Sequence, residues 1–189
     1  MKISSFIAIT ALGLLLFAPN TGAHELQDNR ATLVLRDNTH LAITLFIAYD
    51  HALHLALAPK HSFQEFLLVY SAMKPQDLQK ELLRAQAKFQ SETRLHLSPG
   101  GEVALTNWIW PDAKQVQTLL QRRVMQAIVD PVAVLYDEPV EIHADANSQQ
   151  EITSLHIVFP EEFQRVLVVS YRPSQLWVEP ESWSSAIKF

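Results

Sequence analysis

The stretch "ATLVLRDNTHLAITLFIAYD" (Ala31–Asp50) predicts the first element of the fold, a β-hairpin. Apolar residues alternate with polar or smaller ones on both sides of a polar cluster at 37–40, which is the pattern of two strands joined by a turn. The second strand is apolar at nearly every position. We therefore expect it to be central in a sheet and covered on both faces.

Helical periodicity follows the hairpin, and its segments begin with recognisable start signals. The segment Asp50–Pro59 is ambiguous: Asp50 can cap a short helix there, which Pro59 would end. Ser62 and Glu65 form an S-x-x-E capping box before the next apolar stripe. Pro75 and Pro111 stand at or near the starts of two longer helices. The sequence thus predicts three to four helices.

The rest of the chain is dominated by strand patterns. A second hairpin is expected around Pro99-Gly100-Gly101, and further alternating segments occupy the C-terminal third. These patterns give about eight strands without regular β-α-β alternation. We expect an α+β fold, with an antiparallel sheet or small β-sandwich and three to four helices packed on one side.

Residues 1–23 have the features of a secretory signal peptide. Lys2 precedes an uncharged apolar run, and small residues lead to a cleavage site after Ala23. The alternative, an uncleaved anchor helix, is disfavoured because the run is shorter than the ~20 residues that a bilayer crossing needs. Cleavage leaves a single exported α+β domain, residues 24–189. We expect this domain to be periplasmic or secreted.

The composition narrows the classes of function. The chain has 15 basic and 20 acidic residues, a net charge of −5, which argues against nucleic-acid binding. Its densest basic spot, Arg122-Arg123, falls in a helical pattern and is expected to be a solvated helix flank. Without cysteine the chain is not expected to be a lipoprotein, and no later apolar run is long enough for a membrane-spanning helix.

Motifs of catalysis are missing from the sequence. There is no G-x-S-x-G, no P-loop, no dinucleotide-binding fingerprint and no thiol nucleophile. The segment "HELQD" begins like the zinc-protease motif H-E-x-x-H but has Asp28 where the second histidine is needed. We therefore expect a non-catalytic protein.

Several histidines are candidate ligands for a copper or nickel ion. After cleavage His24 would be the terminal residue, whose α-amine and imidazole can chelate one ion. His51 and His54 would share a face if their segment is helical, with Asp50 before them and His61 after them. The alternatives are a loose terminal residue at position 24 and a solvent-facing or packed pair at positions 51 and 54.

Three more histidines, His96, His143 and His156, fall in predicted strands on the face away from the apolar residues. They could cluster on adjacent strands, but single exposed histidines are the commoner case. Near the C-terminus, Trp177 and Trp183 are candidate partner-binding residues, because tryptophan buries much area with few rotatable bonds. The alternative is that these rings fill a core.

At "AHELQDNRATLVLRD" followed by "HLAITLFIAYDHALHLALAP" the chain resembles small exported bacterial proteins of uncharacterised function and the periplasmic N-terminal part of HupE/UreJ-type metal permease proteins. The resemblance covers roughly 35 residues. It implies a periplasmic β-sandwich-like domain that handles nickel, cobalt or copper, with His24 as the terminal histidine. It does not imply transport, because the multi-span permease part is not in this sequence.

Two hypotheses follow for the function. The first is an exported, non-catalytic binding or accessory protein that binds or delivers a transition metal, copper or nickel. The second is a ligand-free interaction module that holds another protein of the cell envelope through an apolar sheet edge or the Trp177–Trp183 region. An envelope protein or a metal permease is the expected partner.

Overall fold

A computed structural model describes residues 29–98, 100–129, 139–173 and 180. These residues form an α+β fold, as predicted from the sequence. The strands are β1 Asn29–Leu35, β2 His40–Ile47, β3 Arg94–Leu97, β4 Gly101–Val103, β5 Leu105–Ile109, β6 Val140–Asn147, β7 Leu155–Val158 and β8 Val166–Tyr171. The helices are α1 Tyr49–Leu57, α2 Phe63–Ser71, α3 Pro75–Glu92 and α4 Ala113–Val129. The predicted signal peptide 1–23, His24, Trp177 and Trp183 lie outside the described residues.

The described strands form two sheets. The large sheet has the order β5-β6-β2-β1-β8, in which β8 runs parallel to β1 and the other neighbours are antiparallel. The small sheet is antiparallel and has the order β4-β3-β7. The two hairpins expected from the sequence are β1–β2 and β3–β4. The parallel pairing of β1 with β8 makes the large sheet mixed.

The turn of the first hairpin is stabilised by Asp37. Its Oδ1 accepts hydrogen bonds from the backbone N–H groups of Thr39 and His40, both at 2.7 Å. These bonds, led by the one from Thr39, hold the pKa of the Asp37 carboxyl below its usual value. An aspartate that accepts from the backbone two and three residues on is a common turn device, so the polar cluster at 37–40 sets where the chain reverses.

The interior strand β2 is buried on one face only. Leu41, Ile43, Leu45 and Ile47 are buried, whereas the alternate residues are half-buried. The expectation that β2 is covered on both faces is therefore wrong. It failed because a continuous apolar run is typical of a strand between two layers, but here the helices and the small sheet join a single core on one side of the large sheet.

Two helices begin where the sequence signals predicted, whereas α1 begins at Tyr49 after an Ala48 N-cap, so the prediction that Asp50 caps it is wrong. Ser62 and Glu65 form a reciprocal capping box at α2, and Pro75 is in the first turn of α3. Within the described part of the chain, no helix is long and apolar enough to cross a membrane. The buried faces of all four helices and of both sheets belong to one hydrophobic cluster, so the outer faces of the helices and of the sheets and the sheet edges are the surfaces left for binding.

Candidate functional site

The predicted metal ligand Asp50 is buried and engaged in an ion pair. Asp50 and Arg123 are each only 1% exposed, and Arg123 Nε lies 2.7 Å from Asp50 Oδ2. The other carboxylate oxygen accepts a hydrogen bond from the backbone N–H of His51 at 2.9 Å. One carboxylate oxygen of Asp50 thus links α1 to α4, and the other accepts a hydrogen bond at the start of α1.

The expectation that Arg123 lies on a solvated helix flank is wrong. The residue sits in the apolar stripe of α4, three residues after Leu120 and seven after Val116, both of which are buried. Helical spacing therefore turns its side chain inward, where the carboxylate of Asp50 balances the guanidinium charge. The adjacent Arg122 is exposed. The periodicity of the stripe was the signal that could have separated the two arginines.

The three other predicted ligands of this group lie on α1 and on the loop after it. The ring of His51 stacks on Phe63 with centroids 4.0 Å apart, and His54 lies 5.5 Å from the same ring. His54 Nε2 is 2.8 Å from the carbonyl oxygen of His61. The structure thus places the three histidines at one surface, but His61 contacts His54 with its backbone carbonyl and not with its ring.

The hydrogen bond to the carbonyl oxygen of His61 determines which tautomer the neutral ring of His54 adopts. A carbonyl oxygen only accepts, so His54 donates from Nε2, and the neutral ring then carries its lone pair on Nδ1. Such an outer hydrogen bond is the usual companion of a metal-bound imidazole. Among the described residues, however, no three His, Cys, Asp or Glu side chains are placed to hold a metal ion together. The α1 surface therefore offers His51 and His54 as a pair.

A polar network crosses the half-buried face of the large sheet, opposite the hydrophobic core. His40 Nε2 and Asn107 Nδ2 each lie 3.3 Å from a carboxylate oxygen of Asp145. Burial alone would raise the pKa of Asp145, but the hydrogen bonds from Asn107 and His40 outweigh it and hold the pKa below its usual value. His143 contacts Glu141 on the same strand at 3.3 Å. These contacts stabilise the sheet and leave each carboxylate with a partner.

The small sheet brings two of the strand histidines together. His96 on β3 is directly opposite His156 on β7, and on its other side it is opposite Glu102 on β4. All three side chains are exposed. Alternation predicted that each histidine faces away from the apolar residues, whereas only the register of the strands shows that they are neighbours. His143 belongs to the large sheet and is separate from this pair.

An apolar edge of the large sheet is a further candidate. Strand β8 is at the end of the sheet, and the described residues pair it with β1 alone. A groove of about 790 Å³ runs along the inner side of β8, between it and β7. Apolar residues of both layers line most of it, including Leu33, Val168, Leu155 and Ile157, and polar side chains such as His156 and Ser170 line the rest.

Comparison of the chain with protein families, with curated proteins and with solved structures finds no match. The arrangement of the described residues therefore carries the functional argument.

Proposed function

We propose that this chain is an exported, non-catalytic accessory protein that holds a partner of the cell envelope by accepting an extended segment at the β8 edge. The observation that carries the proposal is the composition of β8, "VLVVSY" (Val166–Tyr171), which has neither charge nor proline in an edge position. Edge strands of monomeric proteins are usually interrupted by such residues, because their free N–H and C=O groups otherwise pair with another chain.

The backbone of β8 has the regular geometry that pairing with an added strand needs. Its six residues match β1 in continuous register from Val166 to Tyr171, without a bulge that would turn the edge away. A strand bonded on one side directs half of its backbone N–H and C=O groups to the other side. An added strand would use these groups for affinity, as in other cases of strand addition.

The side chains of β8 indicate what the added segment looks like. Val168 and Ser170 face the groove, Tyr171 also lines it at the end of the strand, and Leu167 and Val169 alternate to the opposite face. The groove would receive alternate apolar side chains of the partner, which is how strand addition gains specificity. Arg172 follows the strand and is already paired with Glu151 and Asn38. The occupant we infer is therefore an extended segment with apolar side chains at alternate positions.

A synthetic peptide of alternating valine and threonine tests this proposal. Amide hydrogen exchange of β8 should slow when the peptide is added to the full chain. Val168→Lys should abolish the effect, because it places an ammonium group in the apolar groove. Val168 is 43% exposed, and Leu83→Lys on α3, where the leucine is 56% exposed, is the matched control that should leave it intact.

Unchanged exchange of β8 at saturating peptide would refute the proposal. So would β8 amides that are fully protected before peptide is added, because another segment of the chain or a second copy would then occupy the edge. Unfolding midpoints of both variants show whether they fold, and Ser170→Lys, at the other groove-facing position of β8, replaces Val168→Lys if the latter does not.

A second candidate function, binding of a copper or nickel ion at α1, is favoured by the hydrogen bond from His54 to the carbonyl of His61. It fixes a tautomer in which Nδ1 can bind a metal, with His51 three residues earlier on the same helix. The predicted ligand His24 lies outside the described residues, so this candidate rests on His51 and His54 alone. We expect His54→Gln to bind one Ni(II) fewer per chain. Unchanged stoichiometry and affinity in that variant would refute metal binding at α1.

A further inference from the structure

The exposed face of the small sheet carries a row of three side chains that can bind metal ions. Glu102, His96 and His156 occupy directly opposite positions on β4, β3 and β7. On the other face of the same strands, Leu95 and Leu97 are buried, and their partners Leu155 and Ile157 pack against the core. The register that buries these apolar residues therefore also fixes the row.

The two imidazoles of this row are close enough to share one ion. Residues directly opposite each other on antiparallel strands have Cβ atoms about 4.5–5.5 Å apart. Imidazole nitrogens bind transition metals at about 2.0–2.1 Å, so His96 and His156 can reach a common point above the sheet. Neither ring makes a hydrogen bond, ion pair or ring contact within the described residues, in contrast to His51 and His54, which both contact Phe63.

We propose that His96 and His156 form a transition-metal site that bridges β3 and β7. Two imidazoles chelate the ion, and water occupies the remaining positions. Since no three such side chains in the described ranges are placed to bind together, Glu102 joins only by rotating its exposed side chain. The site uses neither His51 nor His54. His156 also lines the groove beside β8, so the metal titration is done without the peptide, and its result does not depend on strand addition.

The donor set indicates which ions bind. Imidazole nitrogens suit copper, nickel and zinc, whereas magnesium and calcium prefer oxygen ligands. For one set of nitrogen ligands the affinity rises from nickel to copper and falls again at zinc. We therefore expect Cu(II) to bind more tightly than Ni(II) or Zn(II), and magnesium in excess not to compete.

Calorimetric titration of the full chain with Ni(II) tests the pair. His96→Gln and His156→Gln should each weaken binding at this site by at least about tenfold, because each removes one arm of an intramolecular chelate. Glu102→Gln should have a smaller effect. His143→Gln is the matched control, a strand histidine of the other sheet, and should bind Ni(II) as the unmodified chain does.

Three results would overturn the proposal: Ni(II) binding that is the same in all variants, loss in only one of His96→Gln and His156→Gln, or loss that His143→Gln reproduces. Loss in His54→Gln with full retention in both pair variants would assign the metal to α1 instead. Because both histidines are exposed, their variants should keep the unfolding midpoint of the metal-free chain, which verifies that lost binding is not lost folding.

Discussion

The stability of the fold should depend strongly on the buried ion pair between Asp50 and Arg123. Both side chains are 1% exposed and their nearest polar atoms are 2.7 Å apart. Removing one member of a buried pair costs about 3–5 kcal/mol, because the remaining charge loses its partner but stays out of water. A domain of this class is stable by only about 5–15 kcal/mol in total.

The variants Asp50→Asn and Arg123→Met isolate this contribution. The asparagine would keep an acceptor for the N–H of His51 and remove only the charge, whereas the methionine would fill part of the space of the arginine stem. Each single change should lower the free energy of unfolding in urea by about 3–5 kcal/mol, or the melting temperature by roughly 6–20 °C. In the double variant no buried charge of the pair remains, so its loss should be smaller than the sum of the single losses by at least about 1 kcal/mol.

The exposed pair Lys80 and Asp77 is the control. These side chains are 76% and 56% exposed and lie one helical turn apart on α3, so Lys80→Met should change stability by less than about 0.5 kcal/mol. A cost below about 1 kcal/mol for Arg123→Met, or strictly additive losses in the double variant, would show that Asp50 and Arg123 are not paired in the folded chain.

Three further outcomes are expected. Burial raises the pKa of the Tyr49 phenol, so above pH ~10 the unfolded chain has lost a proton that the folded chain keeps. The free energy of unfolding should therefore fall as the pH rises above this value. Urea unfolding at two pH values should show a smaller fall in Tyr49→Phe than in the unmodified chain. Ser62→Ala removes the reciprocal cap of α2 and should cost about 1 kcal/mol in thermal or urea unfolding, whereas no loss would mean that the cap is not formed in solution. Ni(II) at about a hundred times its Kd should add about 2.7 kcal/mol, measured as a rise in melting temperature of roughly 5–10 °C. A tenfold weaker Kd in His96→Gln or His156→Gln would leave about 1.4 kcal/mol at the same Ni(II) concentration, so each variant should show about half of the rise or less; a full rise in either variant would contradict the bridge.

Local signals predicted the parts of the fold that neighbouring residues determine. The turn at Asp37 and the capping box at Ser62 each involve hydrogen bonds between residues two or three apart, so the sequence contains all that specifies them. The order of strands depends on contacts between distant segments. Nothing near Val166 indicates that β8 joins β1 in parallel, and this pairing creates the edge on which the proposed function rests.

The proposed site of His96 and His156 could likewise be predicted only in those features that depend on local pattern. Alternation correctly assigned His96 and His156 to exposed faces, because period two follows from strand geometry alone. Whether two exposed histidines are neighbours depends on register, which the apolar residues of the other face determine. A slip of one residue would turn His156 toward the core and Ile157 toward water, and burial of apolar area opposes it. The position of the imidazoles is thus held by Leu95 and Ile157, residues that touch no ligand, so a metal ion would meet two donors already aligned before it binds.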